Sequence, residues 1–258
     1  MATPLISIRH LIADSWTVYA KHWNRMMEVS LWLLLFPVLH LLLAFALSVL
    51  SPTVSVYVLG AVEILDGLFS VWITIRLMRV ALAQSPKEEG LIAHNLRIGW
   101  EAYLPFFLIS LLTSLAILGG IALFFFPGVW LAIIFSFAPL LFLDENIRGT
   151  RALAASAELV KGRWWATFVR IAVPGIFFFM LMLFALSLLN FIASLFIGYG
   201  TVDRVMEAVS QSVWAPITSE TIKLQSVGMF LSRLPQALFL PIFIVALTKL
   251  YRSLKETR

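Results

Sequence analysis

The sequence predicts an all-α fold: a polytopic membrane helical bundle of six transmembrane helices, arranged as three hairpins, each preceded by an amphipathic interfacial helix. Three observations carry that expectation. Hydrophobic residues make up 61% of the 258-residue chain and charged residues 13%, with a mean hydropathy of +0.95; soluble domains lie nearer one half and one quarter. The apolar residues gather in runs of about 20, enough to cross a hydrocarbon layer of roughly 30 Å as helices. Of the nineteen lysines and arginines, all but Arg204, Lys223 and Arg233 fall in alternate polar segments. Cationic loops resist translocation, so this alternation sets topology and places both termini on the cytoplasmic side.

The first span is expected over 26–50, followed by an uncharged turn at Ser51-Pro52-Thr53, and the second over 54–75, leaving through Arg76 and Arg79. The third and fourth share 103–143 and reverse near Phe126-Pro127-Gly128. The fifth covers 170–197. An outer segment, 198–227, contains Asp203, Arg204, Glu207, Glu220 and Lys223, and a short surface helix is one reading of it. The sixth span covers 228–248, with Arg233 expected to snorkel toward the outer interface; a buried functional arginine is the other reading. The whole is read as a single integral membrane domain, 1–258, of three units at about 8–83, 90–146 and 150–255. The first 25 residues are interrupted by Asp14, Lys21 and His22 and do not read as a cleaved signal peptide.

Each hairpin follows an amphipathic stretch. Ile8, Leu11, Ile12, Trp16, Tyr19 and Trp23 share one helical face, with Arg9, Asp14 and Lys21 elsewhere. Leu91, Ile92, Leu96, Trp100 and Tyr103 oppose His94, Arg97 and Glu101, and Leu153, Ala157, Val160 and Trp164 oppose Arg151, Glu158 and Lys161. Ser15, Val18 and Trp23 superimpose on Asn95, Ile98 and Tyr103 and on Ser156, Leu159 and Trp164. A threefold repeat explains this; so does the general use of tryptophan and basic residues beside membrane spans. Such helices lie in the headgroup plane, with Trp16, Trp23, Trp100, Trp164 and Trp165 as interfacial anchors. Lys161, Arg163 and Arg170 are candidate headgroup-binding residues, and the expected partners are membrane lipids, preferentially anionic on the cytoplasmic face.

Inside the apolar layer, His40, Glu63 and Asp66 form a candidate polar cluster. Glu63 and Asp66 are three residues apart on one face of the second span, with Gly67, Ser70 and Thr74 extending the stripe. If the hairpin turns near Pro52, His40 and Glu63 sit at nearly equal depth and can approach one another, while Asp66 lies level with Pro37. One reading is structural, fixing the packing of the spans. The other is functional: a proton or cation relay, or a holder for a polar headgroup. Asn190 in the fifth span reads as an interhelical hydrogen-bonding group. Prolines fall in every span but the second, and kinked spans can act as hinges.

Catalytic chemistry is not legible. The HExxH, GxSxG and GxxxxGK[ST] patterns are missing, and there are only four histidines and no cysteine. Asp144, Glu145 and Glu158 read as a solvated helix-terminal cluster or, less simply, a divalent-ion site. No cofactor, metal or nucleic-acid partner is expected. The net charge of +5 belongs beside the spans rather than to a nucleic-acid surface.

The stretch from Pro127-Gly128 through Ala132-Ile133, Ala138-Pro139 and Asp144-Glu145 to Ser156 and Leu159 resembles the bacterial inner-membrane family typified by YciC. It is also similar to the related membrane domain of some glycerophosphodiester phosphodiesterases. The Leu250-Tyr251-Arg252 exit adds weaker support. The resemblance implies a six-span module of the bacterial inner membrane whose biochemical role is largely unassigned. It covers no soluble phosphodiesterase domain, and no family catalytic residues map onto this sequence. The expected function is therefore a non-enzymatic membrane protein binding or moving a lipid or small amphiphile in envelope homeostasis. The alternatives are a structural subunit of a membrane complex, or homo-oligomer, without its own ligand, and an intramembrane enzyme.

Overall fold

The computed structural model describes residues 5–47, 52–83, 100–197 and 218–257. Every regular element among them is a helix, and six helical stretches are long and apolar enough to cross a membrane: Trp23–Ala46, Pro52–Leu82, Tyr103–Leu123, Phe125–Glu145, Trp164–Leu189 and Glu220–Glu256. The second amphipathic stretch as far as residue 99, and the outer segment 198–217 with Asp203, Arg204 and Glu207, lie outside the described residues.

The helices are α1 (Ile8–Lys21), α2 (Trp23–Ser30), α3 (Leu35–Ala46), α4 (Pro52–Leu82), α5 (Tyr103–Leu123), α6 (Phe125–Phe135), α7 (Ala138–Glu145), α8 (Thr150–Val160), α9 (Trp164–Ile197) and α10 (Ser219–Glu256). A 3₁₀ turn, Leu31–Leu34, joins α2 to α3. It falls where Pro37 lacks the N–H that would continue an α ladder. Pro37, Pro105, Pro127 and Pro139 all occupy first turns, where the missing donor has no intrahelical partner to lose. Pro174, Pro235 and Pro241 are inside long helices.

The chain divides into two compact units, neither of which follows the consecutive hairpins. The first unit comprises Met1–Val29, Val71–Phe177 and Pro241–Arg258. Its core draws Ile73, Leu77, Phe137, Leu140, Leu159 and Leu250 to near-complete burial. Within it, α5 and α6 reverse at Phe124, which is extended, slightly before the expected Phe126-Pro127-Gly128. Glycine at 128 is required by close approach. A Cβ there would stand 2.2 Å from the Ile121 side chain and 2.9 Å from its backbone nitrogen. One built at Gly120 would meet the Gly128 backbone at 2.9 Å.

The fourth span breaks between α6 and α7, before Pro139, and Ser156 of α8 bridges the break. Its hydroxyl donates to the Ile134 carbonyl at 2.5 Å and accepts from the Phe137 N–H at 3.2 Å. Two backbone groups freed from the ladder are thus satisfied inside the core. This sets the rotation of α8: its buried residues are Ala152, Ser156, Leu159 and Val160, roughly one position away from the expected face of Leu153, Ala157, Val160 and Trp164. In α1, capped by the Ser7 hydroxyl on the His10 N–H, the buried residues are Leu11, Ser15 and Tyr19. Both repeat serines, 15 and 156, are fully buried. Burial pushes the Tyr19 phenol above its ordinary pKa.

The second unit comprises Ser30–Ser70 and Phe178–Leu240. Ala44, Leu59 and Ile222 form its small core, with Leu43 packed against them. Trp32 and Phe36 set ring edges against Phe69, with centroids at 6.3 and 5.3 Å. The α10 helix begins at Ser219, well before the expected 228, because Glu220, Lys223 and Gln225 are helical rather than part of a polar loop.

Candidate functional site

Along the first half of α4, Ser55, Leu59, Val62 and Asp66 are buried. Their spacing of four, three and four keeps them on one helical face. Asp66 and Arg233 each stand about 21 Å from the first residue of their helix at 1.5 Å per residue. There the Arg233 guanidinium donates from Nη2 to Asp66 Oδ2 at 2.5 Å and from Nη1 to Gln236 Oε1 at 3.0 Å. The expectation that Arg233 snorkels outward is corrected by this pair. The earlier start of α10 carries residue 233 away from the helix end, and the nearest compensation for its charge is Asp66. Asp66 was in turn expected level with Pro37; its partner is the arginine.

His40 and Glu63 approach directly: Nε2 stands 3.5 Å from Oε1, with the histidine side chain 7% and the glutamate side chain 48% exposed. The expected single polar stripe therefore splits. Asp66 turns inward to an ion pair, while Glu63, about 60° away around the helix, reaches sideways to His40 and keeps an open flank. The His40 Nδ1 is buried without a hydrogen-bond partner. A carboxylate in the middle of a membrane span costs about 2.5–3.5 kcal/mol on insertion scales. Pairing offsets this for Asp66, but a neutral imidazole at the limit of hydrogen-bonding distance offsets much less for Glu63.

The candidate headgroup residues do not converge. Lys161 pairs with Glu158 at 3.1 Å on an exposed surface. Arg163 donates to the Thr257 side chain, and to its carbonyl at 3.3 Å. Arg170 donates to the Ile6 carbonyl at 2.7 Å and the Ala166 carbonyl at 2.9 Å. The two arginines thus pin the terminal segments of the first unit. Of the expected interfacial anchors, Trp16, Trp23, Trp100 and Trp165 are exposed, as contact with headgroups requires. Trp164 is partly buried, and its indole N–H donates to the Trp130 carbonyl at 3.4 Å. The Asn190 side chain lies outside what the structure describes.

Asp144 and Glu145 do not meet Glu158. Lys255 stands 2.8 Å from each of them, and the Tyr251 hydroxyl donates to Asp144 at 2.8 Å. No group of three or more histidine or carboxylate side chains is arranged to hold a metal among the described residues. Sequence reasoning also missed Arg76, read as a loop charge. It is 1% exposed, lies 4.6 Å over the Trp72 ring and is within electrostatic reach of Glu28. The one available signal was its place four residues after a tryptophan.

The residues carrying the family resemblance now have physical roles. Gly128 permits the α5–α6 contact, Pro139 and Ser156 make and bridge the helix break, and Leu159 fills the core. Asp144, Glu145 and Tyr251 join α7 to α10. All belong to the first unit. No family model, no curated protein and no solved structure matches this chain.

Proposed function

We propose that the chain is a non-enzymatic, multi-pass protein of a bacterial inner membrane, with both termini cytoplasmic. On this reading it is akin to the family typified by YciC, and it binds or moves a lipid or small amphiphile in envelope homeostasis. The observation that carries the reading is the half-exposed Glu63, about a third of the way along an apolar helix beside buried His40. An ionisable group held open at that depth fits a polar headgroup better than it fits packing alone. Anionic lipids on the cytoplasmic face suit the cationic ends of the first unit.

Native-lipid mass spectrometry of the purified full chain tests this. A stoichiometric retained amphiphile is expected, and a ligand-free polypeptide contradicts it. Reporter fusions at Ser51, Gly128 and Gln211 should all face the compartment opposite the amino terminus.

One observation favours a second reading, a partner subunit without its own ligand. Along α9 the side chains of Val173, Ile176, Phe177, Phe179, Met180 and Phe184 are all exposed, an apolar face that lipid or another membrane protein would cover. A copurifying polypeptide in place of a ligand supports that alternative.

A further inference from the structure

Within that amphiphile-binding reading, we infer that the Glu63 face of α4 takes a membrane lipid whose head bears a protonated primary amine. The charges of Asp66 and Arg233 cancel at 2.5 Å, and the arginine's other terminal nitrogen is engaged by Gln236. The cluster therefore offers no cation to an anionic head; its uncompensated charge is the carboxylate of Glu63. That carboxylate has about four acceptor sites and one long contact to His40.

Histidine reinforces the sign. His40 is 5% exposed and aims Nε2 at Glu63, and when Nε2–H donates there, the buried, unpartnered Nδ1 is an acceptor. That atom is closed off from a ligand, so the accessible acceptor is the Glu63 carboxylate, and an ammonium is a donor-only group.

There is room for it. Gly60 and Gly67 flank Glu63 at i−3 and i+4 on the same side of the helix, and a Cβ built on either meets nothing within 4 Å. The carboxylate is thus bordered by bare backbone above and below. Exposed Ile64, Leu65 and Leu68 alongside give an acyl chain an apolar surface. The approach is consequently from the membrane rather than from water.

The test uses the full chain in nonionic detergent, with phosphatidylethanolamine, phosphatidylcholine and phosphatidylglycerol of identical acyl chains, retention being read by native mass spectrometry. The first two share a phosphate and differ in whether the nitrogen carries N–H donors. Phosphatidylethanolamine should be retained at one per chain, on the order of tenfold more tightly than either other lipid. Glu63→Gln should abolish that preference and Glu63→Asp should keep it. Gly67→Leu should weaken retention by filling the open border while leaving the carboxylate in place.

Equal retention of all three lipids, preference for phosphatidylglycerol, or an unchanged preference in Glu63→Gln overturns the amine assignment and leaves the amphiphile reading standing. Retention of no lipid by the unmodified chain overturns both. Should Glu63→Gln fail to fold, the Glu63→Asp and Gly67→Leu arms still decide: loss of preference in the first, or undiminished retention in the second, overturns the assignment.

Discussion

Two sites in this molecule are built from the same parts and finished differently. In the first unit, Asp144 and Glu145 at the end of α7 meet a hydroxyl and a cation from α10, Tyr251 and Lys255. In the second, Glu63 and Asp66 of α4 meet an imidazole from α3 and a cation from α10, Arg233. Lys255 stands 2.8 Å from both of its carboxylates, and Tyr251 adds a hydrogen bond. Both carboxylates lie against the one lysine, so neither is left without a cation beside it, and the set reads as a clasp between helix ends. Arg233 reaches one carboxylate only. Its guanidinium is committed to Asp66 and Gln236, and Glu63 faces outward with a histidine as its sole described partner. A cation that reaches both carboxylates makes a joint; a cation that reaches only one leaves a site.

Perturbations rank the two. The largest effect is expected from Arg233→Met, which leaves Asp66 uncompensated in a low-dielectric setting and should cost about 3–5 kcal/mol. The thermal unfolding midpoint in detergent measures it. Adding Asp66→Leu to that variant should restore most of the loss, since a well-packed apolar pair often equals or exceeds a buried ion pair. Failure of the double variant to recover would mean the ion pair fixes something beyond charge balance.

Gly128→Val comes next, at about 1–3 kcal/mol for forcing a side chain into the Ile121 contact. Ser156→Ala should lie close to it, at about 1–3 kcal/mol, because the Phe137 N–H and Ile134 carbonyl lose their buried partner. Neither should change which lipids are retained, which separates the first unit's packing from the second unit's chemistry. Lys255→Met opens the clasp, but the lysine side chain is 49% exposed. Solvent screening should hold the loss to about 1 kcal/mol or less, and a loss several times larger would show the clasp to be buried and central. Smallest in stability loss should be Glu63→Gln, which removes a costly intramembrane carboxylate with little pairing to lose and should leave the unfolding midpoint unchanged or raised. Its effect belongs to ligand retention. A large destabilisation there would make Glu63 a packing residue and erase the contrast between the two sites.

Much of the architecture was legible. The approach of His40 to Glu63 followed from counting residues on either side of Pro52, because equal rise per residue puts them at equal depth. The partner of Asp66 was not legible, because it depended on where α10 begins, and a polar helix start reads locally as a loop. The buried face of α8 lies about one position from the expected one, whereas α1 buries Leu11 and Tyr19 of its expected face and adds Ser15. Ser15 and Ser156 turn inward to backbone carbonyls, Leu11 and Ile134. The Gly128 contact was recognisable as a motif but had no meaning until Ile121 was seen against it.

By itself, then, the sequence determined an all-helical chain with six apolar stretches able to cross a membrane. Period and hydropathy are properties of consecutive residues, and backbone hydrogen bonds in hydrocarbon leave few alternatives to the helix. Tertiary structure alone decided that Arg233 belongs to Asp66, that Lys255 spans two carboxylates and that Glu63 is left open. Those outcomes turn on the rotation and starting points of helices far apart in the chain, where an ångström of displacement changes which oxygen a guanidinium can reach.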